Sequence, residues 1–174
     1  MGSALVRQLQ QEAAGELFGF CRTPGESAIS LRSVDVANED EVRSAVHEIQ
    51  PTQIIHLAAA QTPYCNEHPL AGMRINAGGT AHLLQAAADL RSLERVVFAS
   101  SAAVYGHRAL YPWPTVHPDQ ELRPVNHYGR WKLAGEGMVR AFHEQTGVPC
   151  CMLRFATTFG PGRDLGLTSA GTSA

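Results

Sequence analysis

Gln53-Ile54-Ile55-His56-Leu57-Ala58 is the stretch that decides the fold class. It is a short apolar run without alternating polar side chains, which is typical of a parallel strand whose two faces are both covered by helices. A helix is predicted before it, because Asn38 can cap an apolar face that repeats every three or four residues until Pro51. After it, the sequence predicts a loop that contains two prolines and then a long helix over residues 70–90.

The same alternation of strands and helices continues in both directions along the chain. Strands are predicted over residues 16–21, 27–36, 95–100 and 148–155, and further helices over 3–12 and 128–146. This order predicts an α/β fold with a doubly wound parallel sheet and helices on both faces. Ligands bind such sheets beyond the carboxyl ends of the strands. Chemistry is therefore expected around Asp35, 57–61, 100–105 and 155–160.

The composition narrows the classes of protein further. A length of 174 residues suits one domain, and 44% hydrophobic residues are enough for a core. The net charge is −2, so neither nucleic acid nor a membrane is an expected partner. The four cysteines form no C-x-x-C pair and no signal peptide is visible, which favours reduced thiols and a cytoplasmic protein. The eight histidines lack the spacing of metal ligands, and no metal is expected.

Tyr128 and Lys132 are the strongest candidates for chemistry. They lie four residues apart in a predicted helix, so their side chains share one face. A nearby ammonium lowers the pKa of a phenol, and such a pair can move a proton to or from a substrate hydroxyl near neutral pH. The alternative is a tyrosine and a lysine on an exposed helix face. Lys132 is the only lysine in the chain, which favours the functional interpretation.

Four further positions could contact a ligand, each with a plainer alternative. Ser101, which follows Ser100 at the end of a strand, could hydrogen-bond a substrate oxygen or could be a turn residue. Asp35 could accept a hydrogen bond from an adenine amino group or could cap a turn. Asn76 stands beside glycines that are costly inside a helix, so close packing or a ligand is indicated. Gly2 opens a helix, where a glycine lets a diphosphate approach.

Taken together, these features resemble the extended short-chain dehydrogenase/reductase family, in the UDP-glucose 4-epimerase-like group of NAD(P)-dependent epimerases and dehydratases. The resemblance covers residues 2–162, and its motifs occur in this order: Ile54-Ile55-His56-Leu57-Ala58-Ala59-Ala60, Asn76-Ala77-Gly78-Gly79-Thr80, Val97-Phe98-Ala99-Ser100-Ser101, Tyr128-Gly129-Arg130-Trp131-Lys132, Leu153-Arg154-Phe155 and Gly160-Pro161-Gly162. The family implies a Rossmann-like fold, NAD or NADP as the cofactor and a nucleotide sugar as the substrate. It also implies a homodimer formed through the helices over 70–90 and 128–146.

The resemblance implies a role for individual residues. Tyr128 would be the proton donor and acceptor, Lys132 its electrostatic partner and a ribose ligand, and Ser101 the ligand of the substrate hydroxyl. The dinucleotide would be bound by the other matched positions: Gly2 at the diphosphate, Asp35 and Val36 beside the adenine, Leu57, Ala58, Ala59 and Gln61 along its length, and Asn76 in support. In the family, a hydride passes to the nicotinamide while the tyrosine removes the hydroxyl proton.

Departures from the family pattern bear on the subtype. Dehydratases carry an Asp-Glu pair where this chain has Ala102-Ala103, which favours an epimerase or a simple reductase. An acidic residue often ends the strand that here ends in Cys21, and an acid there binds the ribose 2′-hydroxyl and repels a 2′-phosphate. Cys21 can do neither and Arg22 follows it, so NADP is a candidate beside NAD. Thr157 stands where sugar epimerases tend to have asparagine.

The resemblance also bears on how much of a domain the chain holds. The family's first strand and the first two glycines of its phosphate loop would precede Gly2, and its substrate domain would follow residue 162. We therefore interpret residues 1–161 as a partial NAD(P)-binding domain of an incomplete chain, and 162–174 as a flexible tail. The expected function is tyrosine-assisted hydride transfer on a nucleotide sugar. The alternative is a non-catalytic dinucleotide-fold remnant or a regulatory or partner subunit.

Overall fold

The strands form two groups in which every pairing is parallel. The computed structural model describes residues 1–12, 15–111 and 115–158. In these ranges β1 (Phe18–Cys21) pairs with β2 (Ser30–Ser33). A second group has the order β3 (Gln53–His56), β4 (Arg95–Ser101), β5 (Cys150–Phe155). The parallel α/β architecture expected from the sequence is thereby confirmed.

Six α-helices alternate with these strands in the described ranges. They are α1 (Gly2–Gln11), α2 (Glu39–Ile49), α3 (Thr62–Glu67), α4 (Pro69–Met73), α5 (Gly79–Ala88) and α6 (His127–Thr146). A π-helical turn over Arg74–Gly78 joins α4 to α5, so the long helix predicted over 70–90 is one helical stretch with a wide turn inside it. Short 3₁₀ turns occupy Ala102–Val104 and Arg108–Leu110.

The hydrophobic core lies where three helices cover one face of the strands. Its members come from α2, α5 and α6 and from the strand side chains that point toward them: Val42, Ala45, Val46, Leu83, Leu84, Ala86, Ala87, Val139, Phe142, Ile54, Val96 and Phe98. Phe98, at the centre of β4, is 1% exposed. The core therefore fixes α6 against β4, and these two elements carry the strongest candidate residues.

The strands were expected to be covered by helices on both faces, but the face away from the core is partly exposed. Ile54 and His56 are buried, but Ile55 between them is 38% exposed. Leu153 on β5 is 43% exposed, and α1 contributes no buried residue. An apolar run shows only that both faces can be buried, and in the described residues the core helices bury one of them.

The ladder of hydrogen bonds is interrupted between β1 and β3. β1 pairs with β2 alone, and β3 pairs with β4 alone, in the part of the chain that the structure describes. In a doubly wound sheet of order 3-2-1-4-5-6, this interruption falls at the position of the first strand. Within the described residues β1 therefore has a hydrogen-bonded neighbour on one side only. Core side chains hold the two groups together, since Val34 after β2 and Ile54 of β3 belong to one cluster.

Helix ends follow the local signals in the sequence. Asn38 caps α2, because its Oδ1 accepts hydrogen bonds from the backbone N–H groups of Asp40 and Glu41. Glu41 in turn accepts hydrogen bonds from the Asn38 side chain and from the backbone N–H of Asp35. Gly147 ends α6 with φ 73°, a left-handed conformation that glycine adopts without strain.

Two predictions of secondary structure were wrong. The segment with two prolines was predicted as a loop, yet Thr62–Glu67 is a helix with a proline in its first turn, where a missing N–H removes no bond. The strand expected within residues 27–36 was predicted to end at Asp35, and it spans Ser30–Ser33. The predicted tail over 162–174, and the motif that begins at Gly160, lie outside the described residues. No helix in the described ranges is both long enough and apolar enough to span a membrane.

Candidate active site

Lys132 lies buried beneath Tyr128 at the start of α6. Its side chain is 3% exposed, and Nζ donates a hydrogen bond of 2.7 Å to the carbonyl oxygen of Ala99 on β4. The same Nζ lies 4.9 Å from the ring centroid of Phe98 and 5.9 Å from that of Tyr128. The structure thus brings the predicted pair together on one helix face. It excludes the alternative of an exposed lysine.

Burial sets the electrostatics of this pair. It lowers the pKa of Lys132 to about 8, and the charge of Cys65 opposes that effect. His56 lies in the same interior, and burial together with the charge of Lys132 lowers its pKa to about 3. His56 is therefore neutral at pH 7, with Nε2 3.0 Å from the Thr80 hydroxyl. Lys132 remains mostly protonated at that pH and is the cation beside the Tyr128 ring.

Close backbone packing places the end of β4 against Tyr128. Gly129 leaves no room for a side chain, because a Cβ there would lie 2.1 Å from the carbonyl oxygen of Ala103. Asn126 caps this end of α6 by accepting a hydrogen bond of 2.8 Å from the Gly129 N–H. The turn that follows Ser101 therefore contacts the first turn of α6. Ser101 Oγ accepts a hydrogen bond of 3.1 Å from the Ala103 N–H, which orients its hydroxyl at the strand end.

A cavity of about 310 Å³ opens at the carboxyl ends of β1, β2 and β3. A cavity of this size is at the lower end for small-molecule sites. It is lined by these residues: Phe20, Cys21, Arg22, Val34, Asp35, Val36, Ala58, Ala59, Ala60, Tyr64 and Ile75. Five of the predicted dinucleotide residues are among them, namely Arg22, Asp35, Val36, Ala58 and Ala59. Sequence reasoning missed Tyr64 and Ile75, which lie on helices after β3.

The other predicted dinucleotide residues lie outside the lining of this cavity. Leu57 is half-buried, and Gln61 is exposed at the start of α3. Gly2 is exposed at the start of α1, and a Cβ there would meet nothing within 4 Å. Lys132 lies instead next to Tyr128 at the start of α6, and these two residues are here called the Tyr128 centre. Within the described ranges, no three His, Cys, Asp or Glu side chains are grouped so that they could hold a metal ion.

Asn76 supports the cavity from behind. It is 2% exposed, and its Oδ1 accepts a hydrogen bond of 2.7 Å from the N–H of Ala60 while its Nδ2 donates one of 3.0 Å to the Ala60 carbonyl. Both amide atoms are thus used by one backbone position in the loop after β3. Asn76 also sits in the π-helical turn, so that irregular turn aims the amide at the loop. These two hydrogen bonds fix the backbone of Ala60, which lines the cavity.

A buried ionic cluster missed by sequence reasoning adjoins the Tyr128 centre. Glu136, one helical turn after Lys132, is 1% exposed and binds Arg154 of β5 through two hydrogen bonds of 2.9 and 2.8 Å. Ser100 donates a hydrogen bond of 2.5 Å to the same carboxylate. Arg154 also donates to the Tyr105 hydroxyl at 2.8 Å. The spacing of Glu136 from Lys132 was visible in the sequence, but its partner on β5 was not.

The cluster keeps Glu136 ionised. Burial alone would raise the pKa of its carboxyl, but the hydrogen bonds from Arg154 and Ser100, together with the charges of Arg154 and Arg140, outweigh it and lower the pKa. The pKa of Arg154 is raised, chiefly by its hydrogen bonds to Glu136. Because Glu136 joins α6 to the ends of β4 and β5, the ion pair fixes the helix that carries Tyr128.

Comparison with known proteins identifies the family. The model of the NAD dependent epimerase/dehydratase family matches residues 1–171. The chain belongs to this family. Its Rossmann-like fold follows from the structural neighbours: the UDP-glucose 4-epimerase of Thermus thermophilus, solved in complex with NAD, superposes with a TM-score of 0.84 at 25% identity. That superposition covers 96% of this chain and 55% of the neighbour.

Several sequence relatives are named as epimerases. The chain is 29% identical to UDP-glucuronate 4-epimerase 4 of Arabidopsis thaliana over 136 residues, which are 78% of this chain and 31% of the relative. It is 35% identical over 112 residues to an uncharacterized UDP-glucose epimerase of Bacillus subtilis, covering 62% of this chain and 33% of that protein. The chain therefore spans about a third of the length of these curated relatives.

Proposed function

We propose that this chain is the dinucleotide-binding part of an NAD(P)-dependent epimerase or reductase that acts on a nucleotide sugar. One observation carries the proposal: the only lysine of the chain is buried beneath Tyr128, with its ammonium 5.9 Å from the ring centroid. Burying a lysine is costly, and a merely structural helix face has no need of it. The names of the relatives, which are UDP-sugar epimerases, support the substrate class.

The cavity fits the adenosine half of the dinucleotide. Its walls combine small side chains, Ala58 and Ala59, with the carboxylate of Asp35, which suits a flat ring that carries an amino group. Asp35 and Val36 would hold the adenine, Ala58 and Ala59 would contact the backbone of the cofactor, and Lys132 would hold the second ribose. When bound, the nicotinamide supplies the site that accepts and returns a hydride.

The chain's own residues handle the proton. Tyr128 would take the proton of the substrate hydroxyl and return it after the hydride step, because the nearby Lys132 ammonium favours the phenolate. Ser101 would hold the substrate oxygen from the end of β4, which packs against the same turn of α6. Ala102 and Ala103 offer no acid or base beyond this centre, so the proposal is epimerisation or simple reduction rather than dehydration.

Conversion of UDP-glucose and of UDP-glucuronate to their C4 epimers tests the proposal. The chain is incubated at high concentration with each sugar and with NAD⁺ or NADP⁺, and the products are separated by chromatography. Tyr128→Phe and Lys132→Met should each reduce conversion by about 10²–10⁴-fold, the usual contribution of proton transfer. Glu48→Gln, an exposed change on α2, should leave it unaltered.

Two results would contradict the proposal. Conversion that survives Tyr128→Phe would remove the tyrosine from the mechanism. Binding of the dinucleotide with an affinity that Lys132→Met leaves unchanged would instead support the alternative, a non-catalytic dinucleotide-fold subunit. A homodimer through the helices predicted over 70–90 and 128–146 is part of the proposal for the whole protein, and sedimentation of the chain measures it.

A further inference from the structure

Two backbone segments that line the cavity are held by one helical stretch. The turn after β2 contributes Val36 to the lining, and the loop after β3 contributes Ala60. Asn76, in the π-helical turn before α5, holds Ala60 with both polar atoms of its amide. The turn after β2 is held from the same stretch by His82, near the start of α5.

His82 contacts this turn through its imidazole. Nδ1 lies 3.0 Å from the backbone carbonyl oxygen of Val36, 46 positions earlier in the chain. Because a carbonyl oxygen only accepts hydrogen bonds, Nδ1 carries the proton of this bond. Both residues are half-buried, so the hydrogen bond lies between α5 and the turn and is partly shielded from water.

The backbone of α5 packs against the same turn. Gly79 is buried, and a Cβ on it would lie 2.9 Å from Val36 Cγ2 and 3.2 Å from the Val36 carbonyl oxygen. This close approach brings His82, one helical turn later, within reach of that oxygen. On α2, the Glu41 carboxylate accepts a hydrogen bond of 2.8 Å from the Asp35 N–H. The turn that lines the cavity is therefore held by two helices.

We propose that His82 is a positioning residue of the adenosine site, because its imidazole holds the Val36 carbonyl and so orders the turn after β2 before a ligand binds. The inference rests on the proposed function, which places adenosine in the cavity. Val36 lines the cavity and His82 lies behind it, so His82 acts through the backbone of the turn. A wall that a ligand must first order costs part of the binding free energy. His82 therefore increases the affinity for adenosine.

A second histidine makes the same kind of hydrogen bond at another place in the fold. His143, in the last turn of α6, has its Nδ1 2.8 Å from the carbonyl oxygen of Val148. Within the described part of the chain, neither of these two residues lines the cavity. His143 thus matches His82 in chemistry and differs from it in location. It separates an effect on the cavity from an effect on the stability of the fold.

The affinity for 5′-AMP, measured on the full chain by ligand-observed NMR, tests the inference without any need for turnover. His82→Ala should weaken 5′-AMP binding by about three- to tenfold, the effect of one ordinary hydrogen bond. His82→Asn should recover most of the affinity, because its amide nitrogen is the same number of bonds from Cβ as Nδ1 and donates to the same carbonyl. His143→Ala is the matched control and should bind 5′-AMP as the unmodified chain does.

The protonated nitrogen of His82 gives an independent readout. In a chain labelled with ¹⁵N-histidine, long-range ¹H–¹⁵N correlations identify the ring nitrogen that carries the proton, and the His82 signals are those that disappear in His82→Asn. They should show a proton on Nδ1. A proton on Nε2 alone would overturn the inference, since Nδ1 would then have nothing to donate to Val36.

The outcomes separate the inference from the proposed function. An affinity that His82→Ala leaves unchanged, or that His143→Ala lowers equally, would overturn the role of His82 and leave the adenosine site standing. A loss that His82→Asn does not reverse would also overturn it, because the hydrogen bond would not be the cause. Failure of the unmodified chain to bind 5′-AMP would remove the adenosine site itself, and with it both proposals.

Discussion

Replacing Glu136 by glutamine should destabilise the fold by about 3 kcal/mol. The Glu136 carboxylate is 1% exposed and accepts three hydrogen bonds, two from Arg154 and one from Ser100. Glutamine keeps the shape but places an amide N–H₂ group against the guanidinium, so one contact becomes donor against donor. Arg154 then keeps its charge in a largely buried place without a counter-ion.

The magnitude follows from the surroundings of the pair. Removing one partner of a buried ion pair costs about 3–5 kcal/mol. The lower end applies because the Arg154 side chain is 16% exposed and still donates to the Tyr105 hydroxyl and the Pro118 carbonyl. For a chain of this size, a loss of about 3 kcal/mol lowers the melting temperature by about 6–12 °C.

Equilibrium unfolding in urea, followed by circular dichroism at pH 7, measures this loss. Glu48→Gln is the matched control, because Glu48 makes an ion pair with Arg32 in which the two side chains are 65% and 41% exposed. Exposed pairs contribute at most about 1 kcal/mol. The reasoning is refuted if the two variants lose the same free energy of unfolding.

The loss should also depend on pH. The folded-state pKa of Glu136 lies below its unfolded value, so the carboxylate contributes its full stability above the ordinary glutamate pKa of about 4.3. That contribution is lost as the pH falls through the lowered folded-state pKa. The difference between the unmodified chain and Glu136→Gln should therefore be constant near neutrality and should shrink in acid. A difference that grows in acid would contradict the assigned direction.

Three further predictions concern the packing, the capping and the charge near the site. Gly129→Ala should lower the free energy of unfolding by about 1–3 kcal/mol, because the new methyl group overlaps the Ala103 carbonyl. Gly137→Ala, on the open side of α6, is the control and should raise it by up to about 1 kcal/mol. Equal urea midpoints for the two variants would contradict this prediction. Asn38→Ala should lower the free energy of unfolding by about 1 kcal/mol through loss of the α2 cap, and an unchanged urea midpoint would oppose that. In a chain labelled with ¹³C-lysine, the one Cε resonance of Lys132 should titrate near pH 8, and a midpoint above pH 10 would show that the ammonium is not desolvated.

Local signals in the sequence predicted much of the fold. The cap at Asn38 and the helix ending at residue 146 were predicted, because each depends on a residue and its immediate neighbours. The π-helical turn was not predicted, and neither were the hydrogen bonds that Asn76 in that turn makes with the backbone of Ala60 across the fold. The exposure of Ile55 was also hidden, because an apolar side chain does not reveal whether a helix covers it.

In the candidate site, too, local relations between residues were predicted and long-range contacts were not. Tyr128 and Lys132 were predicted to act together because helix periodicity alone places residues four apart on one face. The acceptor of the lysine, the Ala99 carbonyl, lies 33 positions away and no pattern indicates it. The pairing of Glu136 with Arg154 was missed for the same reason. Long-range partners of charged residues depend on topology, which the spacing of residue types does not encode.

The two ends of the site are held with different strength. The Tyr128 centre rests on the three-stranded group, where Glu136 and Arg154 bridge α6 to β5. The cavity with Arg22 rests partly on β1, which pairs only with the four residues of β2 in the described chain. Short two-stranded pairs are marginal by themselves, so β1 and β2 depend on core contacts such as Val34. A ligand that spans both ends would link them, and part of its binding free energy would be spent in holding β1 in place. The affinity of the cavity for a ligand therefore depends on how firmly β1 is held in place as well as on the contacts between the ligand and the cavity.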